Sequence, residues 1–438
     1  MPRRFQTPAI SRRCAFDKLL EGFKRRYDKW AVSTWTVLEF PGVFAMRQSL
    51  LLALVVLGFF AQACLAVEPK ESHPLGDPAP PEYREFIEEL SKTMNAREPA
   101  FFEDHLNLEE MAARALRGMP VEPGVSAGLL KGMSEEGNLP NAIIRALGDK
   151  GSYLPLWART SKGRIRGMMR MVTAQGALNY HELLLVKDAD GRIEVTDIYV
   201  FVTGELMSQT LRRGALNILA SQKQPIVSRL LEGDQSYLKH SDTITALNRA
   251  SLSGNYQEVL DLYAKLPAKI QADKSLSIAH LQATMHIDEK LYLSALDAYA
   301  KQFRNDPSSD LMLIDAKFLR KDYVKCLAAV ESLNKRLGGD PYLDLFRANV
   351  AMAQGKTDEA KQYFEAVVAG VPGIVQPYFA LVELSMMQKN FAETARLMTF
   401  LENEAGIRFP DDLSGTPVFA EFSKSKEYTA WQEKRRKP

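Results

Sequence analysis

Cysteine and histidine are scarce in this chain of 438 residues. The cysteines are Cys14, Cys64 and Cys326, and the only imidazoles belong to His73, His105, His181, His240, His280 and His286. If a secretory signal is removed after Ala66, as argued below, Cys326 alone survives. That excludes a disulfide framework and any thiolate metal cluster. No His-Glu-x-x-His pair occurs, and His280 and His286, six apart, fall on different faces of a helix. No glycine-rich phosphate loop ends in Lys-Ser or Lys-Thr. No metal and no cofactor are expected, and no convincing catalytic motif marks the chain as an enzyme.

Net charge is also small, +2, but the ends differ. Residues 1–47 hold 10 Lys/Arg against 4 Asp/Glu, and residues 48–66 hold none, which leaves 46 basic and 50 acidic residues from Val67 onward, a net of −4. A mildly acidic body lacks the basic field that nonspecific nucleic-acid binding needs, so no nucleic-acid partner is expected.

One long uncharged apolar run is present. Met46-Arg47-Gln48-Ser49 precedes Leu50 to Val67, with Ala61-Gln62-Ala63 or Cys64-Leu65-Ala66 as cleavage site. This is the anatomy of a secretory signal at 46–66 and predicts an exported protein, periplasmic or secreted. Residues 1–45 read as an over-extended gene start, with translation expected from Met46. Two other readings stay open. Residues 47–67 could remain as a membrane anchor, or Cys64 could be lipidated, although Ala61 stands where bacterial lipoproteins prefer Leu. No other contact with the bulk membrane is expected.

Residues 67–81 carry five prolines and read as an extended linker. An α+β domain is predicted over 82–231. Tyr83, Phe86, Ile87 and Leu90 recur at helical spacing, and short helices are expected at 108–118, 126–133 and 140–147. The period then changes. Residues 164–174, 178–187 and 192–202 read as strands, with Asp188-Ala189-Asp190-Gly191 as a hairpin turn and a further strand near Tyr153–Trp157. An amphipathic stretch from Glu205 to Leu231, broken near Pro225, leads onward. This order resembles the cone-shaped nuclear transport factor 2-like fold over about 82–215. The resemblance implies helices closing over a curved antiparallel sheet.

From 238 to 424 the chain repeats itself. In the best copy, Pro341 to Ile374, Ala348 is a small contact in the first helix and Gly355-Lys356-Thr357 the turn. Ala360 sits at the helix crossing, Phe364 follows, and Pro372 closes the hairpin. Lys389-Asn390-Phe391 stands one period later and Lys321-Asp322-Tyr323 one earlier, with Cys326 at the position of Ala360. Ala295, Tyr299 and Pro307 match the second helix of another copy, and Gly254-Asn255-Tyr256 with Val259 and Tyr263 make the first. The five turns, at 254, 290, 321, 355 and 389, have gaps of 36, 31, 34 and 34. This series resembles the tetratricopeptide-repeat superfamily. The resemblance implies an all-α superhelix of about five helical hairpins, whose concave groove is lined mainly by first helices. The groove-type positions hold Leu311, Asp315, Phe318, Leu345, Asn349, Met352, Phe379, Glu383 and Met386. The mixture suggests an apolar peptide or helix as partner, although Leu311 and Leu345 could equally pack between repeats. A basic tail is expected at 425–438, with Lys434-Arg435-Arg436-Lys437 disordered.

Three chemical candidates remain in the α+β domain. Gly124-Val125-Ser126-Ala127-Gly128 has the spacing of a nucleophile elbow, but Pro120 and Pro123 deny it the preceding strand, and Ser126 reads as a helix cap. Strict alternation puts Asp197 on one face with Ile193, Val195, Tyr199 and Phe201, with Tyr180 and His181 in the next strand. Such an acid could act as a base in a cone-type ligand site. Alternatively it is hydrogen-bonded to a tyrosine or arginine, or faces water. Arg159, Lys162, Arg164, Arg166 and Arg170 read as a solvated sheet face or a seat for an anionic partner. The function expected is an exported protein-binding scaffold in a bacterial cell envelope. The alternative is a small-ligand or catalytic cone with the repeats as a recruiting arm.

Overall fold

The computed structural model describes residues 76–119, 123–134, 138–174, 176–221, 232–304, 306, 309–371 and 373–436. The expected gene start, signal and most of the linker lie outside the described residues, as do Pro120, Pro225, Pro307 and Pro372. The described residues fall into two compact units, 76–316 with 335–338, and 317–334 with 339–436.

The first unit opens with a short strand β1 (Asp77–Pro78) and helix α1 (Pro81–Asn95). Pro81 stands at the first helical position, where its missing N–H costs nothing. Tyr83, Phe86, Ile87, Leu90 and Met94 make the buried stripe. Helices α2 (Ala100–His105), α3 (Leu108–Leu116), α4 (Pro123–Ser134) and α5 (Leu139–Leu147) follow. Asn107 and Asn138 cap α3 and α5 by accepting the N–H of Glu110 and Asn141. The Gly-x-Ser-x-Gly segment lies wholly inside α4, and Ser126 is the fourth residue of that helix, which corrects its reading as a cap.

Strands β2 (Ser152–Ser161), β3 (Arg164–Val172), β4 (Leu178–Lys187), β5 (Ile193–Val200) and β6 (Glu205–Leu206) complete an antiparallel six-stranded sheet in the order β1 to β6. Helix α1 packs on β2 and β3. Gly167 is where it comes closest, since a Cβ there would stand 2.9 Å from Ile87 Cγ2. Cross-strand partners share a face. Leu183 opposite Ile198 and Leu185 opposite Val195 therefore belong, with Met169 and Met171, to the face under the helices.

Val195 and Ile198 can share that face only because the β4–β5 register shifts at Leu184/Leu185. The bulge at Thr196 changes the phase of β5, as an inserted residue must. Asp197, opposite Leu184, is therefore on the other face from Ile193 and Val195, which corrects the strict alternation read from the sequence. That other face also carries Arg166, Met168, Arg170, Tyr180 and Tyr199. Its middle is buried, with Arg170 3% exposed and Tyr180 0%. The arginine cluster is thus no open basic surface. Arg166 pairs with Glu182 at 3.0 Å, and Arg159 donates to the Gly76 carbonyl at 3.1 Å. Only Arg164 and Lys162 are exposed.

Helix α6 (Met207–Ser221) packs on α3 and β5. Helices α7 (Glu232–Lys239), α8 (Ser241–Leu252), α9 (Tyr256–Lys265), α10 (Ala268–Gln271), α11 (Lys274–Ile287), α12 (Glu289–Gln302) and α13 (Ser309–Leu319) continue the chain. Pairs α8/α9, α9/α11 and α11/α12 pack against one another. The compact unit therefore runs past the boundary expected at 231–238. Charged groups tie its sheet and helical parts together. Lys274 Nζ lies 2.6 Å from Asp306 Oδ2 and donates to the Gly204 carbonyl at 3.2 Å, while Tyr199 donates to Asp306 at 3.2 Å. Arg213 holds Glu205 at 2.7 Å, and its charge also acts on Asp273. Trp157 donates its indole N–H to the Leu337 carbonyl.

The second unit contains most of α14 (Tyr323–Leu337), then α15 (Asp344–Ala353), α16 (Thr357–Gly370), α17 (Gln376–Met387), α18 (Phe391–Asn403) and α19 (Lys426–Arg436). Along the chain, the residues just before α9, α12, α14, α16 and α18 are Asn255, Asp288, Asp322, Lys356 and Asn390, at spacings of 33, 34, 34 and 34. The uneven gaps read from the sequence came from the second turn. Gly254, Lys321, Gly355 and Lys389 adopt positive φ there, but Asp288 joins α11 to α12 directly with an extended φ of −157°. Aligned on these starts, Tyr292 and Leu296 occupy the positions of Ala360 and Phe364. Ala295, though buried, does not. Residues 426–436 of the basic tail form a helix, so Lys434, Arg435 and Arg436 are helical where disorder is expected, and Lys437 lies outside the described residues. Tyr428 and Trp431 of α19 are buried, and Arg435 pairs with Glu402 at 2.9 Å and lies over the Trp431 ring.

Candidate functional site

Asp197, Tyr180 and His181 do not converge. His181 lies under the helices, since it pairs with Met169 and Val200. Tyr180 shares the opposite face with Asp197, but it stands four residues from Leu184, the partner of Asp197, or about 13 Å along β4.

Each of these residues is held by its own surroundings. Asp197 is fully buried at the start of α6. It accepts the Ser208 hydroxyl at 2.5 Å, the Ser208 N–H at 3.1 Å and its neighbour Ile198 N–H at 2.9 Å, with Arg114 at 3.9 Å. A carboxylate there meets the free N–H groups and positive end of the helix. Burial pushes its carboxyl above the ordinary range, against hydrogen bonds from Ser208 and Ile198 and the field of Arg114. The group acts as a helix cap, and its full burial leaves a substrate no approach to it. Of the readings open in the sequence, the hydrogen-bonded acid matches this geometry, but its donors are Ser208 and the Ile198 N–H rather than a tyrosine or arginine, and Arg114 is an ion-pair neighbour only. The uncharged start of the amphipathic stretch, Leu206-Met207-Ser208, was the available sign of the cap.

Asn179 fixes His181. The Asn179 side-chain oxygen Oδ1 accepts the N–H groups of Tyr180 at 2.8 Å and Val202 at 2.9 Å. Its amide NH2 therefore faces His181 Nε2, 3.1 Å away. Nε2 accepts, so the neutral ring carries its proton on Nδ1 and donates to the Tyr153 hydroxyl at 3.1 Å. Burial lowers the imidazole pKa to about 4 and raises that of the Tyr153 phenol. Ser91 and Asn95 donate to the Tyr153 carbonyl at 2.7 and 3.0 Å, which ties α1 to β2. This cluster fastens the core.

The helical candidates divide by burial. Ala348, Ala360, Phe364 and Cys326 are buried, as the repeat-packing reading expects. Leu311, Asp315 and Leu345 are also buried and offer no surface to a partner, which corrects their place among groove positions. Phe318, Asn349, Met352, Phe379, Glu383 and Met386 are half-buried. On α17, Phe379, Glu383 and Met386 stand at i, i+4 and i+7, one stripe of the helix. Asn349 and Met352 stand one turn apart on α15. Both helices pack on α16. Burial raises the Glu383 pKa, and no charged neighbour contributes to the shift. Among the described residues, no hydrogen bond or ion pair reaches that carboxylate.

Sequence reading missed the buried cluster of Glu205, Arg213 and Asp273. Asp273 caps α11 through the Leu276 N–H, and an Asp just before a helical run was the available signal. Among the described residues no helix is long and apolar enough to cross a membrane, and no group of three metal-ligating side chains occurs. No protein-family model, curated protein or solved structure matches this chain, so the site is read from its own residues.

Proposed function

We propose that this protein is an exported, non-enzymatic scaffold of the bacterial cell envelope that captures a protein or peptide partner in a tetratricopeptide-repeat groove. The observation that carries the proposal is the half-buried set of Phe318, Met352, Phe379 and Met386 with Asn349 and Glu383 on successive first helices. Apolar side chains that keep part of their surface in water on a packed framework are what a docking peptide can cover. The helix starts spaced by 33 and 34 residues support the superhelix, because stacked copies of one hairpin bury what a single hairpin cannot. The N-terminal helices and sheet are, in this reading, a cone of the nuclear transport factor 2-like kind that precedes the array in the chain. The apolar run at 46–66 supports export, whether the segment is cleaved, kept as an anchor or lipidated at Cys64.

The test is capture from native envelope extract by the mature chain, run beside the double variant Phe318→Ala/Phe379→Ala. Anchoring side chains at an interface commonly cost ~2 kcal/mol or more when truncated. The proteins captured by the wild type should fall at least tenfold on a variant whose circular dichroism is unchanged. Equal capture by both would remove the groove from the function.

A further inference from the structure

We infer that the stripe of α17 that carries Phe379, Glu383 and Met386 selects a cationic partner: an apolar peptide segment carrying one Lys or Arg, whose charge pairs with Glu383. The inference rests on the groove reading above and adds the chemistry of what it takes.

Glu383 lies between Phe379 and Met386 on the same stripe, withdrawn from water and without a partner among the described residues. Other half-buried acids of the second unit have theirs. Glu402 has Arg435, Asp344 has Arg347, and Glu393 has Arg396. A carboxylate that has lost hydration and gained no hydrogen bond is costly unless something arrives to restore the loss. A cation restores it best, because a charge-assisted hydrogen bond in a partly desolvated site is stronger than a neutral one. The neighbours suit the rest of such a side chain. On the same stripe of α17, Met386 is an adaptable thioether for an alkyl stem and Phe379 an aromatic side chain that a cation can approach. The acidic body, net −4 from Val67 onward, draws a cationic segment toward the protein.

The probe is a displayed library of random dodecapeptides panned on the full chain, with enriched sequences resynthesised and titrated by fluorescence anisotropy. Enriched peptides should carry Lys or Arg beside Leu, Met or Phe. Glu383→Gln, which keeps shape and removes charge, should weaken them about tenfold or more. A peptide with norleucine in place of its cation should bind the wild type and Glu383→Gln equally. Peptides lost in Phe318→Ala/Phe379→Ala but unaffected by Glu383→Gln would overturn the cation and leave the groove standing. No enriched peptide, or peptides indifferent to both changes, would overturn the groove and the cation together.

Discussion

Asp197 and Glu383 are both carboxylates withdrawn from water, but their surroundings differ. Asp197 is fully buried and collects three hydrogen bonds, two of them from Ser208 in the first turn of α6. Glu383 is only half-buried, and among the described residues no hydrogen bond or ion pair reaches it. The contrast extends to their regions. In the first unit, buried and half-buried charges tie parts of the fold together: Glu205 with Arg213, Lys274 with Asp306, Arg166 with Glu182. On α17 an acid is carried at a cost and ties nothing. Burial alone therefore says little about function. An acid with a full set of partners is construction, and an acid kept from water without them is where the proposed partner would restore what burial removes.

The largest effect should come from breaking the tied region. Arg213 is 4% exposed and faces Glu205 and Asp273, both buried. Arg213→Met would leave two buried carboxylates without their cation, at a cost of about 3–5 kcal/mol. Urea unfolding of the full chain should show a markedly lower midpoint. An unchanged midpoint would mean that the cluster contributes nothing to the join between sheet and helices.

His181 gives the next effect, with a sign opposite to that of the raised acids. Burial takes its pKa from the ordinary 6.5 to about 4, so the folded state disfavours the protonated ring. Stability from this group is fully present above pH 6.5 and is lost as the pH falls toward 4, by about 3 kcal/mol on linkage arithmetic. His181→Gln can still accept from Asn179 and donate to Tyr153 without titrating. Melting temperatures measured from pH 7 to pH 4 should fall more steeply in the wild type than in this variant.

Two local changes come third, each worth about 1–3 kcal/mol. Ser208→Ala removes one hydroxyl from a buried carboxylate, and the unmade hydrogen bond sets the cost. Ala360→Leu overpacks a fully buried position where α15 meets α16. Thermal unfolding checks both. A neutral Ala360→Leu would show that this crossing has slack.

Much of this architecture was legible in the sequence. The strand expected at 178–187 is β4, and the stripe of Tyr83, Phe86, Ile87 and Leu90 is the buried side of α1. Periodicity reports these well because each element hides one side. It failed where one residue broke the period. The bulge at Thr196 turned Asp197 to the opposite face, and no composition signal marks a bulge. It also failed at Asp288, where two helices meet without the glycine-like turn that the other copies use. Arg170 was placed in water because arginine normally is, but here the second sheet face is covered. Trp431 hid in a tail read by its charge alone. At Glu383 the sequence located the position but could not show that nothing pairs with it, because pairing is a three-dimensional property.

The smallest effect is the sharpest test of the comparison. The Glu383 carboxyl has a folded-state pKa raised by burial. A raised acid contributes stability that is fully present below its unfolded pKa and is lost as the pH rises through the folded one. At neutral pH the free chain therefore carries the cost of the charged form, and Glu383→Gln removes it. The variant should melt slightly higher than the wild type at pH 7, by on the order of 2 °C or less, and the difference should vanish near pH 4. Asp197→Asn should do the reverse at neutral pH and melt lower. Its amide presents one oxygen and an NH2 group to donors that two carboxylate oxygens now accept. If both variants shifted the same way, the distinction between an acid that builds the fold and an acid held open for a partner would fail.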